Sequence, residues 1–133
     1  MSEAVKTAAR EALSEPMTAL EVERAALEAF LRFAGEHKEI YRIIDEAEFV
    51  DPVSYRAHYE GTATRILERL RAGAEKGELR ADPHEAHAWA VMGMNVFLGL
   101  RYAIWRQGGA EPDAAEVATL ANEFLANGLG RRD

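Results

Sequence analysis

A chain of 133 residues fits one domain with a single core and leaves no room for two. A charged fraction of 29% and an apolar fraction of 48% are ordinary for a soluble protein, while a net charge of −7 disfavours a nucleic-acid surface, where cations must displace counterions at phosphates. No cysteine is present, which excludes disulfides and thiolate chemistry and suits a reducing cytoplasm, the expected location given the lack of an apolar leader core in MSEAVKTAAREALSEP.

Apolar residues recur at three and four along the chain, and no useful segment alternates with period two, so an all-α fold of five to six helices is expected. Residues 3–14 suit a short helix ended by Ser14-Glu15-Pro16. Thr18 with Glu21 makes a capping box and opens a helix to about Gly35, with Leu20, Leu27, Phe30, Leu31 and Ala34 inward. A shorter helix from Lys38 to Phe49 carries Ile40, Tyr41, Ile43 and Ile44. Asp51-Pro52 reads as N-cap and first turn of a helix to Lys76, with Gly77 as its left-handed stop. Asp82-Pro83, with Glu85 three residues after the aspartate, repeats that start signal. The helix it opens ends at Gln107-Gly108-Gly109, and Asp113 with Glu116 begins a last one to about Asn127. The connections are short and favour antiparallel neighbours.

Catalytic patterns are sparse. His84 and His87 stand three apart in a first helical turn, but HExxH and Glu-x-x-His are missing, so no metal or other cofactor is expected. Asp45, Glu46, Glu48 and Asp51 crowd a short helix and its exit; Asp51 has a capping role and the others suit a solvated surface. No nucleophile elbow or phosphate-binding glycine pattern occurs, and the chain does not read as an enzyme. Arg65, Arg69 and Arg71 form a small basic cluster, yet Glu68 lies among them without interleaved aromatics, as on a solvated helix face. Tyr55, His58, Tyr59 and Thr62 share one face of the long central helix. Apolar bodies with polar tips suit either the lining of a small-molecule cavity or a core edge with hydroxyls reaching water.

WAVMGMNVFLGLRYAIW, residues 89–105, is the most apolar stretch. It is short of the roughly 20 apolar residues of a membrane span and carries Arg101. Its faces divide into a bulky one for the core (Trp89, Val96, Phe97, Leu100, Ile104), a second with Met94, Leu98 and Trp105, and a small one with Ala88, Met92, Asn95, Gly99 and Ala103. Burial of all three suggests a symmetry mate meeting the small face, joined by Val117, Leu120, Ala121, Phe124 and Leu125 of the last helix.

Taken together, Tyr41-Arg42 leading to Phe49-Val50-Asp51-Pro52, and Gly77-Glu78-Leu79-Arg80 before a Pro-initiated Ala/Trp/Gly-rich helix, resemble the carboxy-terminal domain of tetracycline-repressor (TetR) family transcription regulators over residues 18–128. The resemblance implies a ligand-binding and dimerisation domain over 18–133, whose last two helices pair into a dimeric four-helix bundle with an inducer pocket among the preceding helices. Tyr41, Phe49, Tyr55, His58, Tyr59, Trp89, Met92 and Asn95 sit on helices that line such pockets, for hydrophobic or aromatic effectors. Residues 1–17 correspond at most to the helix linking to a DNA reader, and no helix-turn-helix is present, so this chain is not expected to bind operator DNA itself. The other reading of the same pattern is a stand-alone helical interaction module without a small-molecule ligand.

Overall fold

The computed structural model describes residues 17–130; the expected helix over 3–14 lies outside them. Among the described residues there are five helices and no strand: α1 (Ala19–Glu36), α2 (Lys38–Val50), α3 (Pro52–Glu75), α4 (Glu85–Gly99) and α5 (Ala114–Leu129). Local chemistry sets most of their ends. Thr18 and Glu21 close a reciprocal capping box on α1. Asp51 Oδ1 accepts from the Ser54 N–H at 3.2 Å, with Pro52 in the first turn of α3. Asp113 Oδ1 accepts from the Glu116 N–H at 2.9 Å and so caps α5, without a return bond from the Glu116 side chain.

The start of α4 differs from expectation. Asp82 takes a positive φ of 57° and belongs to the turn, so it is not the cap. His84 Nδ1 instead accepts from the Ala86 N–H at 2.9 Å, while the His84 N–H donates to His87 Nδ1 at 2.8 Å. Two imidazoles thus do the work usually done by Ser and Glu, and α4 begins at Glu85. At its other end α4 runs into a π turn, Leu100–Ile104, closed by the Trp105 N–H on the Leu100 carbonyl at 2.8 Å.

Two apolar clusters hold the helices together. One gathers Ala19 of α1, Ala63, Ile66 and Leu70 of α3, Leu79, and Ala88, Val91 and Met92 of α4. The other gathers Leu27, Leu31 and Ala34 of α1, Ala103, and Val117, Ala118 and Ala121 of α5. An ion pair between the buried Glu23 and the half-buried Arg69 adds a polar tie, with Arg69 Nε 2.8 Å from Glu23 Oε1 across α3 and α1. Arg69 therefore does not lie on a merely solvated face. In α2, Ile43 is exposed.

The loop Gly77-Glu78-Leu79-Arg80 fastens three helix ends. Gly77, at φ 77°, lets α3 close with Glu78 N–H on the Gly73 carbonyl and Gly77 N–H on the Ala74 carbonyl, the two bonds of a Schellman stop. Glu78 Oε1 then accepts from the Ala19 N–H at 2.8 Å, satisfying a free donor at the start of α1. Leu79 packs into the first cluster over Gly73, where an added Cβ would stand 2.5 Å from the Ala19 Cβ. Arg80 N–H donates to the Leu129 carbonyl at 3.0 Å and its guanidinium to the Gly128 carbonyl at 3.2 Å, which anchors the end of α5.

Candidate ligand site and exposed apolar faces

Three of the four tyrosines converge where α2, α3 and α4 meet. On α3, Tyr55 and Tyr59 stand edge to face with ring centroids 5.0 Å apart, and the His58 ring lies 5.1 Å from Tyr59. From α2, the Tyr41 hydroxyl donates to the Val96 carbonyl of α4 at 3.5 Å. Tyr59 also packs against the core cluster that contains Met92. Burial, the largest cause, pushes the Tyr59 phenol far above its ordinary 10.0, with Tyr55, Tyr41 and the Asp45 carboxylate adding to the rise. Tyr41 moves the same way, again mainly through burial, then through Asp45 and Tyr55. Asp45 follows Tyr41 by four residues on α2, which places both on one helix face.

These shifts have a measurable consequence. In an ultraviolet tyrosinate titration of the folded protein, Tyr41 and Tyr59 should remain protonated after the pH has passed 10.0. Their folded-state values lie above the unfolded one, so their contribution to stability is complete below pH 10.0 and is lost as pH rises through the folded values. Titration of Tyr41 and Tyr59 near 10.0 in native protein would show that the cluster is open to water.

The structure thus brings Tyr41, Tyr55, His58 and Tyr59 together, and of these Tyr59 packs against the core cluster to which Met92 belongs. Asn95 is half-buried on α4. Trp89 lies at the surface of α4, its Nε1–H donating to Glu85 Oε1 at 3.3 Å. Phe49 is 82% exposed at the α2–α3 corner with Val50 and Val53, which does not fit a pocket lining. Sequence spacing missed the Val96 carbonyl and Asp45; only the four-residue interval from Tyr41 signalled the latter.

The faces of α4 and its π turn depart from the sequence expectation, although Val96 and Ile104 of the bulky face do pack against the core clusters. Ala88, Gly99 and Ala103, assigned to a partner, are buried among the chain's own helices. A Cβ on Gly99 would meet Phe30 Cε2 at 2.7 Å, so the small residue admits a ring from α1. Phe97, assigned to the core, is 70% exposed. Val117 and Ala121 of α5 are likewise internal and Leu125 is half-buried, whereas Leu120 and Phe124 are 61% and 75% exposed. A different small stripe points outward: Ala86 and Ala90 are exposed beside Phe97, and a Cβ on Gly93 would meet nothing within 4 Å. On a helical wheel, positions 86, 90, 93 and 97 fall together, opposite the buried Ala88, Met92 and Gly99.

Other chemistries find little support. No group of three metal-ligating side chains occurs among the described residues. Both His84 and His87 accept at Nδ1, which leaves the proton on Nε2; metal ligation there would require giving up the cap. Asp45, Glu46 and Glu48 are exposed, and Asp51 is engaged as the cap of α3. No helix among the described residues is long and apolar enough to cross a membrane.

No family model matches the chain, and no curated protein does. The functional reading therefore rests on the tyrosine cluster and the outward faces of α4 and α5.

Proposed function

We propose that the chain is the effector-sensing, homodimerising regulatory domain of a TetR-like transcription regulator, binding a small hydrophobic or aromatic effector at the tyrosine cluster and reaching DNA only through a separate reader domain. One observation carries this reading: the Tyr41 hydroxyl is bonded to the Val96 carbonyl, and the next residue, Phe97, points outward. An effector that displaces Tyr41 acts on the same turn of α4 that presents the apolar exterior. Phe97 with Leu120 and Phe124 supplies the large apolar anchors of a two-fold interface, and Ala90 with Gly93 permits close helix approach. An effector preferring one helix arrangement shifts the dimer's geometry and with it the spacing of attached DNA readers.

The chain should be dimeric by light scattering at micromolar concentration. The double variant Phe97→Glu, Leu120→Glu should be monomeric with unchanged helical circular dichroism, since neither side chain supports the core. A thermal-shift panel of aromatic acids, fatty acyl-CoAs and lipophilic drugs should raise the melting temperature for one class by mass action. A monomeric wild type with no responsive ligand class would favour the stand-alone interaction module instead.

A further inference from the structure

Arg65 is a half-buried cation without an anion. Arg24 and Arg32 pair with Glu28, Arg56 with Glu60, Arg69 with Glu23 and Arg101 with Glu111; Arg65 has no carboxylate within ion-pair distance among the described residues. Among the described residues its one hydrogen bond runs from Nη2 to Thr62 Oγ1 at 3.2 Å. Thr62 in turn donates its proton to the His58 carbonyl at 2.9 Å, which fixes a lone pair toward the guanidinium. The guanidinium lies over Gly61, where a Cβ would make ordinary contact at 3.6 Å from Arg65 Nη1. The side chain is thereby folded back toward the amino end of α3, alongside residues 58–62, instead of extending into water.

A guanidinium carries five N–H donors, and this one uses a single donor. A partly desolvated guanidinium is best satisfied by a planar anion taken at two points. Directly along the helix lies the aromatic edge of His58, Tyr59 and Tyr55. The charge near the other end of that edge is negative, since Asp45 acts on Tyr59 and Tyr41 from α2. We propose that the effector is an aromatic carboxylate, its ring against Tyr55, His58 and Tyr59 and its carboxylate on Arg65, which Thr62 holds in place. This assignment rests on the tyrosine cluster being the effector site.

Calorimetric titration with three isosteric probes, naphthoate, naphthamide and naphthylmethylammonium, tests it on the intact chain. Naphthoate should bind about tenfold tighter than naphthamide, in line with one charge-assisted hydrogen-bonded pair, and the ammonium weakest. Arg65→Gln should abolish the preference while leaving naphthamide affinity unchanged. Arg56→Gln, which removes an exposed ion-paired arginine from the same helix, should keep it. Equal binding of acid and amide, tightest binding of the ammonium, or a preference that survives Arg65→Gln would overturn the carboxylate assignment and leave the effector site standing. No binding by any probe overturns the assignment, and the wider ligand panel then decides on the site itself.

Discussion

Arg69→Ala is expected to lower unfolding free energy by about 1–3 kcal/mol, the scale for leaving a buried acceptor without its charged donor. That is less than a fully buried pair would cost, because the Arg69 side chain is 35% exposed. Glu23 is 3% exposed, its Oε1 accepts from Arg69, and its Oε2 has no hydrogen-bond partner. Without the guanidinium the carboxylate stays inside α1 with nothing to offset its lost hydration. Marginal domains hold only about 5–15 kcal/mol in total, so this one truncation removes a large share. The control is the double variant Glu23→Met, Arg69→Met, which takes out both charges at similar volume and should be near neutral or stabilising. Urea unfolding of the three proteins decides the matter. A loss below about 1 kcal/mol for Arg69→Ala would mean that Glu23 reaches water and that the pair behaves as a surface pair.

Leu70→Ala should cost about 2–5 kcal/mol by a different mechanism. Leu70 is fully buried on α3, at the junction with Ala19, Leu79, Ala88 and Met92 of three other segments. Truncation removes the transfer energy of its side chain and leaves a void that helices capped at fixed ends collapse into only partly. The midpoint of urea unfolding should fall while the slope stays constant, since the surface exposed on unfolding hardly changes. A loss under about 1 kcal/mol would indicate a core that repacks freely.

Features fixed by neighbours in sequence were legible. Thr18 with Glu21, Asp51 with Pro52, Gly77 and Asp113 all act within a few residues, and each works as its local chemistry dictates. Asp82-Pro83 misled because Asp82 takes a positive φ in the turn. His84 accepts from the Ala86 N–H and His87 from the His84 N–H, and the cap moves two residues on. The faces of α4 were partly misassigned for a related reason. A helix apolar all round has no internal marker for its buried side, and Phe30, on a helix some seventy residues earlier, fills the space over Gly99. The aromatic face of α3 was legible from its spacing, since its members lie on one helix. Its link to Tyr41 and Val96, and the Glu23–Arg69 tie, join residues 55 and 46 positions apart in the chain, and no local pattern encodes them.

The clasp formed by Glu78, Leu79 and Arg80 has a topological consequence. It holds the first turn of α1 and the last turn of α5 against the same short loop, so the two ends of the helical domain lie side by side. The domain is close to a closed ring. A segment attached ahead of α1 and one attached behind α5 would leave from the same corner, and in a two-fold pair each subunit would offer one such exit.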